Sequence, residues 1–120
     1  MREIKFRGWS GTEMHYGWGC FTNESDRSFI VIDENDYYPN PVTLMQFTGL
    51  LDRHGKEIYE GDVIGADSEN GQVNGDVRWD GIRCAFYIRF GDYDLYFPSG
   101  PKPESFEVIG NIYENPELLK

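Results

Sequence analysis

The run Met45–Asp62, Met-Gln-Phe-Thr-Gly-Leu-Leu-Asp-Arg-His-Gly-Lys-Glu-Ile-Tyr-Glu-Gly-Asp, constrains the fold more than any other stretch of the chain. Just before and within it, apolar Leu44, Met45, Phe47 and Leu50 surround Gln46 and Thr48, an alternation that predicts a half-buried strand. Gly49 can take positive φ and release the chain. Asp52-Arg53-His54-Gly55 predicts a type I turn, with aspartate at the first position and glycine at the last. Ile58–Ile64 then resumes as two short extended pieces hinged at Gly61. In Glu60-Gly61-Asp62-Val63-Ile64 the glycine bends the chain, the aspartate fastens the turn and two β-branched residues enter a sheet.

The flanks read the same way. Glu3–Trp9 and Glu13–Trp18 alternate across a Ser10-Gly11-Thr12 turn and predict a first hairpin. Its core residues are expected at Ile4, Phe6 and Trp9, with Lys5 and Arg7 facing outward. His15 is expected as an exposed strand residue and His54 as an exposed turn residue. Gly17–Arg27 reads as a loosened stretch, Ser28–Ile32 as a third strand and Asp33–Pro41 as a surface loop. Asp67–Gly75 reads as a polar loop, with strand character at Val73, Val77 and Trp79. Asp80-Gly81 signals a two-residue hairpin into Cys84–Phe90. Gly91-Asp92 is a further turn into Tyr93–Phe97, and Pro98–Pro103 is a proline-rich loop. Phe106–Tyr113 is a last strand, bent at Gly110. Asn115-Pro116-Glu117 caps a helical stub of about one turn.

Four pieces of the chain resemble the YopX-like family. The opening Met1-Arg2-Glu3-Ile4-Lys5-Phe6-Arg7-Gly8-Trp9 is similar to the family's, which usually has alanine where Gly8 stands. Met45–Leu50 followed by Asp52 and Gly55 resembles its middle. Gly55–Val63 resembles its most recognisable run, and Glu107–Leu118 its ending. The resemblance spans nearly the whole chain. It implies a mainly β fold and an origin in phages or prophages, and it implies no particular activity. Its motif residues are Arg7, Trp9, Gln46, Thr48, Gly49, Asp52, Gly55, Tyr59, Glu60, Gly61, Asp62, Gly110, Asn111 and Tyr113, for which structural roles are expected.

The fold expected on these grounds is mainly β: a small SH3-like barrel in the C-terminal half, N-terminal hairpin strands packed on it and a short C-terminal helical stub. It forms one domain over residues 1–120, with the strands in 1–50 and the barrel-like part in 51–120. A chain of 120 residues is the size of one ordinary domain. With hydrophobic residues at 39% and aromatic ones at 16%, large rings must fill much of the core.

Charge narrows the function. The formal net charge is −10, with 11 basic and 21 acidic residues spread over both halves. Such a charge favours solubility and repels nucleic acid and anionic membrane at long range; it reads as a solvated acidic surface, the alternative being an acidic patch that mimics nucleic acid or docks a basic protein. Nothing in the chain resembles a phosphate loop or a nucleophile elbow. Asp33-Glu34-Asn35-Asp36 opens like a calcium loop, but Tyr37 and Tyr38 stand where a ligand and the obligatory glycine belong. His15 and Cys20 are too thin a pair for zinc. Two cysteines 64 positions apart, Cys20 and Cys84, read as thiols buried or half-buried in a reducing cytosol. The expectation is therefore a soluble, non-enzymatic protein-interaction module in the host cytoplasm, without a cofactor. Its partner is a host or phage protein, no membrane is engaged and a homo-oligomer is compatible. Tyr37, Tyr38, Tyr93 and Tyr96 are the candidate contact residues. The competing readings are a single-stranded nucleic-acid binder, if Lys5, Arg7, Arg78, Arg83 and Arg89 gather on one face, and a carboxylate- or metal-dependent enzyme.

Overall fold

The computed structural model describes residues 4–69, 71–97 and 105–119. Among them are twelve strands and a C-terminal 3-10 turn, and the eight strand ladders whose register is described are antiparallel. The chain divides into two compact units, Met1–Gly49 and Leu50–Lys120.

The first unit holds two small sheets. β1 (Phe6–Trp9) lies between β2 (Met14–Gly17) and β6 (Thr43–Leu51). β3 (Gly19–Thr22), β4 (Ser28–Asp33) and β5 (Asp36–Tyr37) form the other sheet in that order. Glycines let the two sheets approach each other. A Cβ on Gly17 would run into the Val31 carbonyl and Ile30, and one on Gly8 into the Val42 side chain. Gly8 thus suits a chain with valine at position 42, and an alanine there would need Val42 to move. Ile30, Met45 and Phe47 are buried in this unit.

Several first-unit expectations need correction. Arg7 does not face outward: it is 3% exposed, on an inner strand between Tyr16 and Met45. Ile4, expected in the core, is exposed, because the strand begins beyond it at Phe6. His15 is not an exposed strand residue; its ring stacks on Tyr38 with centroids 3.6 Å apart. The loosened stretch at Gly17–Arg27 contains β3. Its turn is built by Asn23, whose Oδ1 accepts the N–H groups of Ser25 and Arg27, with Asp26 in the left-handed region at φ 60. The Asp33–Pro41 loop contains β5, entered through an Asx turn in which Asp33 Oδ1 accepts Asn35 N–H at 2.8 Å.

In the second unit β7 (Glu57–Tyr59), β8 (Asp62–Ser68), β9 (Gly71–Asp80), β10 (Ala85–Phe90), β11 (Tyr93–Tyr96) and β12 (Phe106–Asn111) follow in turn. Five of them form a sheet in the order β11-β10-β9-β8-β12. Ile58, Ile64, Val77, Ile88 and Phe106 make its core, with Leu95 and Phe97 packed on them. Edge strands β11 and β12 therefore both contribute to one apolar interior. No ladder joins the two edges among the described residues, so the sheet is an open one there and the SH3-like closure is not seen.

The Asp67–Gly75 loop proves to be the tip of a long hairpin, with Ser68 opposite Gly71. Gly75 lies inside β9, where a Cβ would meet the Arg89 carbonyl, Ile88 and Phe90. The Asp80-Gly81 hairpin is longer than two residues. Ala85 pairs with Asp80, so Gly81–Cys84 make the turn, with Cys84 at φ 52. Cys84 is consequently exposed rather than buried, Cys20 is half-buried, and both thiols are free. β12 is bulged between Val108 and Gly110, at the bend expected there. The stub at Pro116–Leu119 is 3-10, with Leu118 N–H donating to the Asn115 carbonyl at 3.1 Å. The Pro98–Pro103 loop lies outside the described residues.

The motif residues serve this frame. Gly55 N–H closes the Asp52 turn on the Asp52 carbonyl at 3.0 Å. Asp52 is buried; Oδ1 accepts from His54 and Lys56 N–H, and Oδ2 from Val108 N–H at 2.8 Å. One carboxylate thus ties a turn to β12, 56 residues away. Burial alone would raise its pKa, but the three backbone donors outweigh it and hold the carboxyl below its usual value. Asp62 Oδ2 accepts Tyr59 N–H at 2.7 Å, and Gly61, at φ 86, donates its N–H to the Val77 carbonyl. Asn111 Oδ1 accepts from Tyr113 and Glu114, while a Cβ on Gly110 would strike the Asn115 side chain. Gly49 takes φ 89, Thr48 is buried, and Trp9, Gln46 and Glu60 are half-buried.

Candidate functional site

The outer face of β3-β4-β5 carries an aromatic cluster. Phe21 opposes Phe29 across β3 and β4, and Val31 opposes both Gly19 and Tyr37. Strand alternation puts Phe21, Phe29, Val31 and Tyr37 on one side while Ile30 points into the core. Phe21 and Phe29 stack with centroids 5.0 Å apart, and Tyr37 meets Phe21 edge-on at 5.3 Å. Phe21 remains 39% exposed and Tyr37 50%. Trp18, 63% exposed, extends the patch and lines a shallow hollow of about 430 Å³ with Gly19, Val31, Asp33 and Glu34. Lys5 lies over the Trp18 ring at 5.2 Å. From Gly19 to Tyr37 the chain carries five carboxylates (Glu24, Asp26, Asp33, Glu34 and Asp36) against one arginine, Arg27.

The outer face of β9-β10-β11 is ionic. Register places Arg78, Tyr87 and Tyr96 in one row and Asp76, Arg89 and Asp94 in the next. Arg89 grips Asp94 with two bonds of 2.7 and 2.9 Å, and Arg78 Nε donates to Asp76 at 2.8 Å. Asp80 gathers the rest: Oδ1 accepts Ile82 and Arg83 N–H, and Oδ2 accepts the Arg83 guanidinium at 2.9 Å and Tyr96 Oη at 2.8 Å. Tyr87 and Tyr96 stack at 5.0 Å. Each arginine here is met by an aspartate. The backbone N–H and guanidinium of Arg83 hold the Asp80 carboxyl well below the carboxylate range, and the Arg89 guanidinium lowers the Asp94 carboxyl. The hydrogen bond to Asp80 pushes the Tyr96 phenol up, away from ionisation.

The same sheet borders an apolar pocket of about 560 Å³, lined by Ala66, Val73, Phe90, Tyr93, Leu95 and Phe106, with Arg53 and Asp67 as polar neighbours. Arg53 is occupied: it donates to Glu107 at 2.9 Å, and Glu107 also lies 3.2 Å from His54. Among the described residues no three His, Cys, Asp or Glu side chains are grouped to hold a metal ion. No helix among them is long and apolar enough to cross a membrane.

The four candidate tyrosines thus stand in four different settings. Tyr37 belongs to the aromatic cluster, Tyr38 stacks on His15, Tyr93 lines the apolar pocket and Tyr96 is locked to Asp80. Of the five cations that were to gather, Arg78, Arg83 and Arg89 do so, while Lys5 and Arg7 belong to the first unit. Phe21, Phe29 and Trp18 were missed as site residues because β3 was read as loosened chain. The alternation of Phe21 with its neighbours across the Asn23 turn was the available signal.

Comparison with known structures agrees with this architecture. The crystal structure of protein EF1440 from Enterococcus faecalis matches with a TM-score of 0.65 and 28% identity, covering 100% of both chains. That of protein yopX from Bacillus subtilis matches with a TM-score of 0.63 and 24% identity, over 97% of this chain and 98% of the other. No curated protein sequence matches. The family described as YopX protein matches residues 5–120, and the chain belongs to that family.

Proposed function

We propose that this YopX-family chain is a phage or prophage accessory protein that works in the host cytoplasm as a non-enzymatic protein-interaction module. The observation that carries the reading is the exposed aromatic cluster of Phe21, Phe29 and Tyr37 with Trp18. Scattered surface apolar residues need no explanation, but stacked rings sharing one sheet face are the composition of a contact patch. The test is solution mass by light scattering, alone and with fractionated host lysate at physiological salt. A defined complex that disappears with Phe21→Ser/Tyr37→Ser supports the module; a chain that gains no mass, or a complex indifferent to that variant, speaks against it.

A second reading has its own observation. Arg78, Arg83 and Arg89 share a face with the stacked rings of Tyr87 and Tyr96, a set suited to single-stranded nucleic acid on a small β-sheet. Against it, each arginine would have to exchange an aspartate for a phosphate, within a chain of net charge −10. Fluorescence anisotropy of short oligonucleotides at low salt decides it. Undetectable binding removes this reading.

A further inference from the structure

We infer that the aromatic face of β3-β4-β5 docks a basic protein segment, one with apolar side chains at its centre and arginine or lysine beside them. The inference rests on the interaction-module reading and adds the chemistry of the partner. Two features of the face select that occupant.

The first is the apolar centre. Phe21, Phe29, Val31 and Tyr37 offer one continuous surface, and Trp18 with Val31 walls a hollow beside it. Such a surface takes aliphatic or aromatic side chains and gives the contact its burial. The second is the charge around it. The two turns that end the strands carry Glu24, Asp26, Asp33, Glu34 and Asp36, all exposed, against Arg27 and the Lys5 that lies over the Trp18 ring. Asp33 and Glu34 line the hollow with Trp18 and Val31, so the aliphatic stem of a lysine or arginine can lie on the apolar wall with its head at the carboxylates.

The same charges reject the other occupants. A second copy docked face to face would set five carboxylates against five, a like-charge arrangement that interfaces avoid. Nucleic acid would bring phosphates to the same rim. A basic segment gains both steering from a distance and pairing on arrival, and its affinity must fall as salt rises.

Two fluorescent heptapeptides test this. Both have a Leu-Phe-Leu centre; one is flanked by pairs of arginine and the other by pairs of glutamate. Anisotropy is read for the wild type, for Asp33→Asn/Glu34→Gln/Asp36→Asn and for Phe21→Ser/Tyr37→Ser, with near-UV circular dichroism as the control for folding. Tyr37→Ser alone replaces the double variant if that one does not fold. The expected result is arginine-peptide binding about tenfold tighter than glutamate-peptide binding, with most of the difference lost in the triple variant. Both peptides should lose the wild-type face when the rings are removed. Equal binding of the two peptides would overturn the basic partner and leave the module reading standing. A dimer that breaks up with Phe21→Ser/Tyr37→Ser would overturn it in favour of a second copy. No peptide binding by a monomeric chain would also overturn it, while the lysate measurement decides separately whether the face binds any protein.

Discussion

The outer faces of β3-β4-β5 and of β9-β10-β11 are each three antiparallel strands wide and each carries aromatic rings, but they leave their side chains in opposite states. On the second face three arginines meet three aspartates at 2.7–2.9 Å, and the tyrosines are stacked or bonded to a carboxylate. Its charges are spent on one another. On the first face Phe21, Phe29 and Tyr37 pack on one another, Lys5 lies over Trp18, and the five acids between Gly19 and Tyr37 outnumber Arg27 and Lys5. A face with its polar groups already paired loses those pairs on binding, whereas a face with exposed rings and unbalanced charge gains on binding. Charge composition alone does not separate the two, because what differs is the pairing.

That contrast can be broken in the frame, on the aromatic face and on the ionic face, in falling order of effect. Asp52→Ala removes the acceptor for three N–H groups, one of them on buried Val108, and should cost about 3 kcal/mol of stability in urea unfolding. Phe21→Ser/Tyr37→Ser should weaken partner binding at least about tenfold, roughly 1.4 kcal/mol, with a smaller loss of stability because both rings are exposed. Acid should act through Asp52. Its folded pKa is depressed, so its contribution is complete above the unfolded value of about 3.9 and is lost as pH falls through the folded one. The urea midpoint should therefore drop between pH 5 and pH 3, roughly the range that brackets that unfolded value, and should drop less in Asp52→Asn. Arg89→Ala should leave the urea midpoint nearly unchanged, since the pair is solvent-exposed and screened, and should leave partner binding unchanged. A large loss of binding from Arg89→Ala would reverse the roles assigned to the two faces.

Much of the frame could be read from residues whose local chemistry decides their conformation. Asp52 and Gly55 set their turn whatever surrounds them, and so do Gly61 with Asp62 and Pro116 after Asn115. Alternation placed β1, β2, β4, β6 and β10 within a few residues. The misreadings came where tertiary contacts decide. Gly75 looks like a loop residue, but it is needed inside β9 because Phe90 and the Arg89 carbonyl crowd it. Arg7 looks like an outward strand residue, but it occupies an inner strand of its sheet and is buried. The candidate surface was partly legible: Tyr37 was singled out, yet its partners Phe21 and Phe29 are brought to it by a hairpin whose Asn23 turn carries no glycine–asparagine signal. Tyr96 looked equally available, and only the cross-strand Asp80 reveals that its hydroxyl is committed.

The most direct test of the contrast is a ¹⁵N NMR titration of the chain with the arginine-flanked Leu-Phe-Leu peptide at moderate salt. Amide shifts confined to Trp18–Thr22, Ser28–Asp33 and Asp36–Tyr37, with Arg78, Tyr87, Arg89 and Tyr96 unmoved, are the predicted result. Shifts centred on β9-β10-β11, with the aromatic face silent, would contradict it.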